Sequence, residues 1–489
     1  VMQKIVLLNT LFVTLAFSQI NIPDTAQSKC YSNDAQISCP KKGEAFYGQD
    51  AQYLSFSPSY KDNGDGTVTD LVTGLIWTRD VDDKKLSLEE AQSKAKSLHV
   101  GGHSDWRVPT LKELYSLIDF RGYTGFAKGG SNTNQAPSNA IPFINTDFFD
   151  FKYGASDERY IDAQWLSSTK YVSTTMNNQQ TLFGVNFADG RIKGYGYRRA
   201  ESNQDTKKFY VRYVRGTSSY GKNNFEESKE GILLDSVTNL MWTKKDSQKT
   251  MNWKESLGYC ENLDLGGFND WRLPNAKELQ YIVDYSRSPD TTSSPAIDEK
   301  FQLSAIKNEA EQKDWGYYWS STTHSDGPNP SNAAAYISFG RALGKMRGEV
   351  IDVHGAGAQR SDPKEGSLEF RGPQGDAIRS KNFALCVRGG ANIQNVQPDS
   401  VNAYPNILHV KQNSQSGYSK NTLNQHTSNA TNQAPEQSKF IKRLDKDGDG
   451  KISRNEFDGP VQAFGKLDRN HDGYLSDDEA PKGLPMQKR

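Results

Sequence analysis

Apolar residues recur at helical spacing in four short windows of the chain, and the windows fall into two pairs. Leu88, Ala91, Ala95 and Leu98 follow Ser87-x-x-Glu90, and Leu111, Leu114, Leu117 and Ile118 follow Pro109-Thr110-x-x-Glu113. Further on, Trp253, Leu257, Cys260 and Leu263 follow Asn252-x-x-Glu255, and Ala276, Leu279, Ile282 and Val283 follow Pro274-Asn275-x-x-Glu278. Each window predicts a short helix with one buried face, started by a capping box. Between the helices lie short aromatic segments that read as strands. One ends at Trp77 or Trp242, and another closes at Val214-Arg215-Gly216 or Val387-Arg388-Gly389. The expected fold class is therefore α+β.

The pairing of windows reflects an internal repeat. Gly101-Gly102-His103-Ser104-Asp105-Trp106-Arg107-Val108-Pro109 returns 165 residues later as Gly266-Gly267-Phe268-Asn269-Asp270-Trp271-Arg272-Leu273-Pro274. Thr73-Gly74-Leu75-Ile76-Trp77-Thr78 returns at the same offset as Thr238-Asn239-Leu240-Met241-Trp242-Thr243. Trp165-Leu166-Ser167-Ser168-Thr169 matches Trp319-Ser320-Ser321-Thr322 with a changed offset, which places insertions in the second half of each unit. The repeats span residues 45–217 and 218–390. In both, Asp-Trp-Arg reads as architecture, with the Trp in the core and the Arg paired to a carboxylate such as Glu113.

The first eighteen residues carry Lys4, an apolar run from Ile5 to Phe17 and the small-residue site Ala16-Phe17-Ser18. That run spans only about 20 Å as a helix, short of the bilayer core, and predicts a signal peptide rather than a membrane span. Export to the periplasm, the cell surface or the medium follows, and with it disulfide chemistry. Cys30 and Cys39 bracket a turn in the lead-in of residues 19–44. Cys260 aligns with Ala95 and Cys386 with Tyr213, so both are absent together from the first repeat, which predicts that they are bonded. Residues 391–439, rich in Asn, Gln, Ser and Thr, read as a flexible polar linker.

Residues 440–489 hold the clearest chemistry. Asp445, Asp447, Asp449, the Lys451 carbonyl, Ser453 and Glu456 fill the ligand positions of an EF-hand loop, with Gly450 at the sharp turn. Asp468, Asn470, Asp472, the Tyr474 carbonyl, Ser476 and Glu479 fill a second, with Gly473 at its turn. Carboxylates and carbonyls at this spacing suit Ca²⁺, a hard cation. Ile452 and Leu475 share the loop position at which paired EF-hands join. Only residues 457–467 separate the loops, and Pro481 ends the last helix early, so the pair is expected to be a structural calcium site rather than a switch. Three lookalikes fail: Asp62–Gly66 lacks a third-position ligand and reads as a hairpin turn. Gly216–Lys222 lacks the hydroxyl of a phosphate loop. Gln397-Pro398-Asp399, like the sugar-selecting tripeptide of calcium-dependent lectins, lies outside the repeats.

The balance of charge, 59 basic against 59 acidic residues, excludes the basic excess of a nucleic-acid binder. Seven scattered histidines offer no metalloprotease or hydrolase motif. One basic stretch stands out: Arg191, Lys193, Arg198, Arg199, Lys207, Lys208, Arg212 and Arg215, interleaved with Tyr195, Tyr197, Tyr210 and Tyr213, a composition suited to acidic glycans.

Taken together, Asp-Trp-Arg-Leu-Pro-x-x-x-Glu-Leu, Trp-Ser-Ser-Thr, Cys-Val-Arg-Gly and the Gly43–Asp50 lead-in resemble the C-terminal domain family of bacterial collagen-like adhesins, the Lcl C-terminal domain. The resemblance covers both repeats. It implies two C-type-lectin-like domains in tandem, with the EF-hand pair on a linker behind them. It also implies a secreted or surface protein that binds extracellular polysaccharide or a cell-surface partner without catalysis. A formylglycine-oxidase-like or glycan-processing enzyme, whose helices also start Arg-x-Pro-x-x-x-Glu, is the alternative, and a purely structural surface component a third reading.

Overall fold

All four capping boxes form. The side chains of Ser87, Thr110, Asn252 and Asn275 each accept the backbone N–H three residues on, and Glu90, Glu113, Glu255 and Glu278 accept the N-cap N–H in return. They open α1 (Leu88–Ser97), α2 (Leu111–Tyr115), α3 (Trp253–Glu261) and α4 (Ala276–Tyr281). The computed structural model describes residues 19–126, 133–176, 178–199, 207–216, 219–390 and 392–393, and, near the C-terminus, 443–445, 451–453, 456–457, 467 and 474–476. The expected signal peptide lies outside the described residues, as does the expected linker of residues 391–439 except for Asn392–Ile393, which pair with Tyr53–Leu54. Contacts divide the chain into two units, Val1–Gln412 and Asn413–Arg489.

In the first unit strands far outnumber helices, so the fold is mainly β. Each repeat builds the same four-stranded sheet, in which the closing strand lies beside the opening ones. Val214 pairs with Trp77, and Val387 with Trp242. The Asp-Trp-Arg motif locks this corner. Trp106 and Trp271 are buried, Asp105 and Asp270 accept from Arg215 and Arg388 of the closing strands, and the motif arginines grip the helix-capping glutamates. Arg107 reaches both oxygens of Glu113 at 2.7 and 2.5 Å, and Arg272 those of Glu278 at 2.7 and 2.6 Å. One carboxylate thus caps a helix and neutralises an arginine. Two disulfides form as the sequence implies, Cys30–Cys39 and Cys260–Cys386. The second joins α3 to the residue before the closing strand, inside a cluster with Trp253, Trp271 and Trp319. In the first repeat Ala95 and Tyr213 stand in the matching cluster, a small residue facing a large one where the bonded pair would be. Closing a loop of 126 residues stabilises the fold by ~4–5 kcal/mol in the chain-entropy model.

The repeats are not separate beads. Three strands of the first, β1 (Gln164–Thr175), β2 (Gln179–Asn186) and β3 (Arg191–Arg199), and three of the second, β4 (Tyr317–Thr323), β5 (Ala333–Ser338) and β6 (Gln359–Pro363), make one six-stranded sheet ordered β4-β5-β6-β3-β2-β1. The seam is the antiparallel pair β3–β6, with Ile192 opposite Gln359. A single apolar core runs beneath it, containing Trp77 and Trp165 from one repeat and Trp242 and Tyr318 from the other. Among the described residues, a four-stranded sheet built from residues 343–352 and 369–378, on either side of β6, belongs to the second repeat alone.

The sheet also corrects the alignment of the tryptophans. Thr169 and Thr322 both accept the first N–H of a helix, at Leu111 and Ala276, and Ser168 and Ser321 both donate to the proline before it. Ser-Ser-Thr is therefore in register at an offset of 153, which sets Trp165 opposite Tyr318 and Leu166 opposite Trp319. A one-residue slip moves a strand side chain to the other face. Trp165 accordingly sits in the shared core and Trp319 in the disulfide cluster.

Ahead of the repeats, a strap of residues Pro23–Gln27 threads between them. Asp24 N donates to Phe56 O, Phe120 N donates to Thr25 O, and the Gln27 side chain holds both backbone groups of Thr323. Lys277 of α4 donates to Asp24 O and Ser116 O. Asp50 completes the junction by accepting from Thr25 and Thr322. Burial, and then the nearby Asp24, push its carboxyl up to about 8.

Two outcomes are expected. Replacing Glu278→Gln leaves the Arg272 guanidinium, 3% exposed, without its countercharge and should cost about 3–5 kcal/mol in guanidinium unfolding. At the seam, burial followed by the neighbouring Arg360 holds the His354 imidazole down at about 4. The folded state then stays neutral while the unfolded chain takes up a proton below about 6.5, so this histidine withdraws stability as pH falls from 6.5 toward 4, by up to roughly 3 kcal/mol. Imidazole NMR shifts should show His354 untitrated at pH 5.

Candidate functional site

In the C-terminal unit, Ile452–Ser453 and Tyr474–Leu475 form a two-residue antiparallel ladder with Ile452 opposite Leu475, the contact expected of paired EF-hand loops. Ile452 and Leu475 are fully buried, with Leu444 beside them and Phe457 and Leu467 packed against the cluster. Glu456, the last ligand position of the first loop, is turned inward, and its Oε2 accepts the Ser453 N–H at 2.7 Å. A carboxylate held there, with the Lys451 carbonyl and Ser453 on the same short turn, fits an oxygen-ligated calcium ion. Asp445 and Ser476 are also described, as is the Tyr474 backbone. Asp447, Asp449, Asp468, Asn470, Asp472 and Glu479 lie outside the described residues.

The basic stretch does not form one open face. Arg212 is wholly interior: its guanidinium donates to the carbonyls of Thr78, Arg79 and Asp150 and lies 4.9 Å from the rings of both Phe149 and Trp165. Arg191 and Lys193 share Asp189 at the seam, and Arg191 reaches on to Asp326 and Ser361 of the second repeat. Arg198 pairs with Glu89, Lys208 with Glu90, and Arg215 with Asp105. Lys207 lies over the Tyr195 and Phe209 rings, where burial lowers its pKa. Arg199 is exposed. The correction has a simple cause. Tyr195, Tyr197, Tyr210 and Tyr213 are core residues, and cations alternating with them in sequence are drawn in and must be paired or hydrogen-bonded.

Two clefts open on the first unit. One, of about 320 Å³, is lined by Ser32, Asn33 and Asp34 of the small disulfide loop with Phe46, Asn332, Pro363 and Glu365. Under its rim Lys364 is buried, donating to Ser32 O and Thr323 Oγ1 and lying 3.8 Å from the centre of the Trp253 ring. Burial holds its pKa well below the ordinary lysine range. The larger cleft, about 560 Å³, lies between the repeats. Thr110, Lys112 and Thr169 of the first repeat face Tyr220–Asn223 and Ile282–Ser286 of the second across it. Lys112 Nζ donates to Gly221 O and Asn223 Oδ1 and lies 5.2 Å from the Tyr281 ring centre. Burial pushes its pKa down to about 7, against the pull of Asp284 and Asp235. Sequence reasoning passed over Lys112 and its counterpart Lys277. The available signal was a lysine repeated at one position of a helix whose neighbours face the core.

No curated protein and no solved structure matches this chain. Family models do match. The EF hand covers residues 438–458 and 461–479, which implies calcium binding, and the Lcl C-terminal domain covers residues 66–215 and 231–352. The two Lcl matches take in more than half of the chain, and one falls within each repeat. The chain belongs to the Lcl C-terminal domain family, with two copies of the domain followed by an EF-hand pair.

Proposed function

We propose that this is an exported recognition or adhesion protein whose fused repeats bind extracellular polysaccharide, with the EF-hand pair as a structural calcium site. Family membership supports a surface or adhesion-like role. The observation that carries the finer reading is the smaller cleft, which combines an aromatic ring with side-chain amides, a hydroxyl and carboxylates. Such a mixture suits a polyol, which offers hydroxyls to donors and acceptors and a C–H face to a ring. Phe46 with Ser32, Asn33, Asp34 and Asn332 supplies it in the smaller cleft. Arg199 and Lys208 remain at the surface for acidic groups of a long chain. Cys260 and Cys386 are joined and buried among tryptophans, which favours binding over a thiol-based oxidase.

The full chain printed against a glycan array should retain a subset of polysaccharides, and Phe46→Ala or Asn332→Ala should weaken that retention about tenfold. An array blank throughout would favour a structural component instead. Calorimetric titration with Ca²⁺ should give dissociation constants of ~10⁻⁴–10⁻³ M, in the range of extracellular modules. Glu456→Gln should remove one of the two binding events and leave thermal unfolding of the larger unit unchanged.

A further inference from the structure

The larger cleft is the open copy of a groove that the chain itself fills elsewhere. Under the offset of 165, its walls at Thr110, Lys112, Gly221 and Ile282–Ser286 correspond to Asn275, Lys277, Phe56 and Leu117–Arg121. Those are the residues that hold the strap. Thr169, at the other offset, corresponds to Thr322, which bonds the Asp50 that holds Thr25. Two hydrogen bonds of the filled site recur at equivalent positions in the open one. Asp119 N donates to Phe143 O, and Asp284 N to Ala296 O. Arg121 N and Ser286 N each donate to the aspartate two residues before. The difference lies between them. Phe120 N donates to Thr25 O of the strap, whereas its counterpart, the Tyr285 N–H, has no acceptor among the described residues. Phe56 O accepts the strap's Asp24 N–H, whereas its counterpart Gly221 O is taken by Lys112 Nζ. In the filled groove the equivalent lysine, Lys277, instead donates to the strap carbonyl of Asp24.

An extended peptide in the open groove would therefore repeat the strap's bonds: one N–H to Gly221 O, one carbonyl to the released Lys112, the next carbonyl to Tyr285 N–H. Lys277 also has Asp24 and Asp50, which the strap and its neighbour bring, among its acidic surroundings. Among the described residues Lys112 has only Asp284 and Asp235, the counterparts of Asp119 and Asp70, so the missing occupant should be acidic.

The chain holds such a segment. The strap reads Pro23-Asp24-Thr25-Ala26-Gln27, and the residues after the second repeat read Pro398-Asp399-Ser400-Val401-Asn402, alike in kind at each of the five positions. The remaining Pro-Asp, at Pro289-Asp290, is fixed in a loop by the bond of Asp290 to Arg341. Ile393, paired with Tyr53, is the last described residue before this segment, and four residues separate it from Pro398. The five residues from Ile393 to Pro398 extend about 17 Å.

We propose that the cleft between the repeats is a peptide groove whose occupant is the chain's own Pro398–Asn402, bound as a second strap. Covalent tethering gives that segment an effective concentration in the millimolar range. The test is hydrogen exchange on the full chain, resolved to single amides, comparing wild type with a variant carrying Pro398→Gly, Asp399→Ser, Ser400→Gly, Val401→Ser and Asn402→Gly together. The Tyr285 amide should exchange at least tenfold more slowly in the wild type, with the same protection across a hundredfold range of protein concentration. Phe120, under the first strap, should be equally protected in both and reports that the variant is folded. Equal Tyr285 rates in the two proteins would overturn the proposal. So would protection that disappears on dilution, which would assign the groove to a second copy.

Discussion

The fold depends on one edge. A strand at the margin of a sheet presents unpaired N–H and C=O groups and must be covered, charged or paired. Here each repeat ends its larger sheet in such a strand, and the two margins, β3 and β6, pair with each other. That junction converts two three-stranded sheets, each marginal alone, into one of six strands, and the apolar faces beneath become a single core. The ionic groups along the seam follow from the same event. Arg191, Lys193, Asp189, Asp326, Arg360, Asp376 and His354 lie where two surfaces met, and each is bonded across or along the joint rather than left to water.

Local chemistry was legible in the sequence and its assembly was not. The capping boxes at Ser87, Thr110, Asn252 and Asn275, the Trp106–Arg107 and Trp271–Arg272 corners, and both disulfides depend on residues close in the chain or placed by the repeat, so pattern alone located them. The seam was invisible because β3 and β6 carry no signature that distinguishes an edge facing a partner from an edge facing solvent. The basic stretch shows the same limit. Its alternation of Tyr with Arg or Lys is what a carbohydrate platform would show, and equally what a strand shows when its aromatic face is core and its cations are bonded. The one-residue misplacement of Trp165 against Trp319 arose because identity of residue outweighed the two-residue period of the strand. Of the calcium loops, the ladder of Ile452 and Leu475 and the inward Glu456 are described, and the spacing of the remaining ligands is read from sequence.

Gene duplication usually yields two equal copies, and the departures from equality here concentrate where function is expected. The second repeat carries its own disulfide, a further four-stranded sheet and the small cleft over Lys364, while the first holds a lysine at an open groove whose twin is sealed. Asymmetry imposed on a symmetric scaffold gives the molecule two distinct clefts from one set of folding instructions.

Residues 53–56 pair with Pro23 through Phe56 and with Asn392–Ile393 through Tyr53 and Leu54, so an early and a late stretch of the chain meet at the same place. This has a mechanical meaning. A pull applied through those stretches falls on the hydrogen bonds to that segment and on the bonds of the strap, while the residue before the closing strand of the second repeat is secured by Cys260–Cys386. Tension applied there would reach the shared core only after both stretches had peeled away.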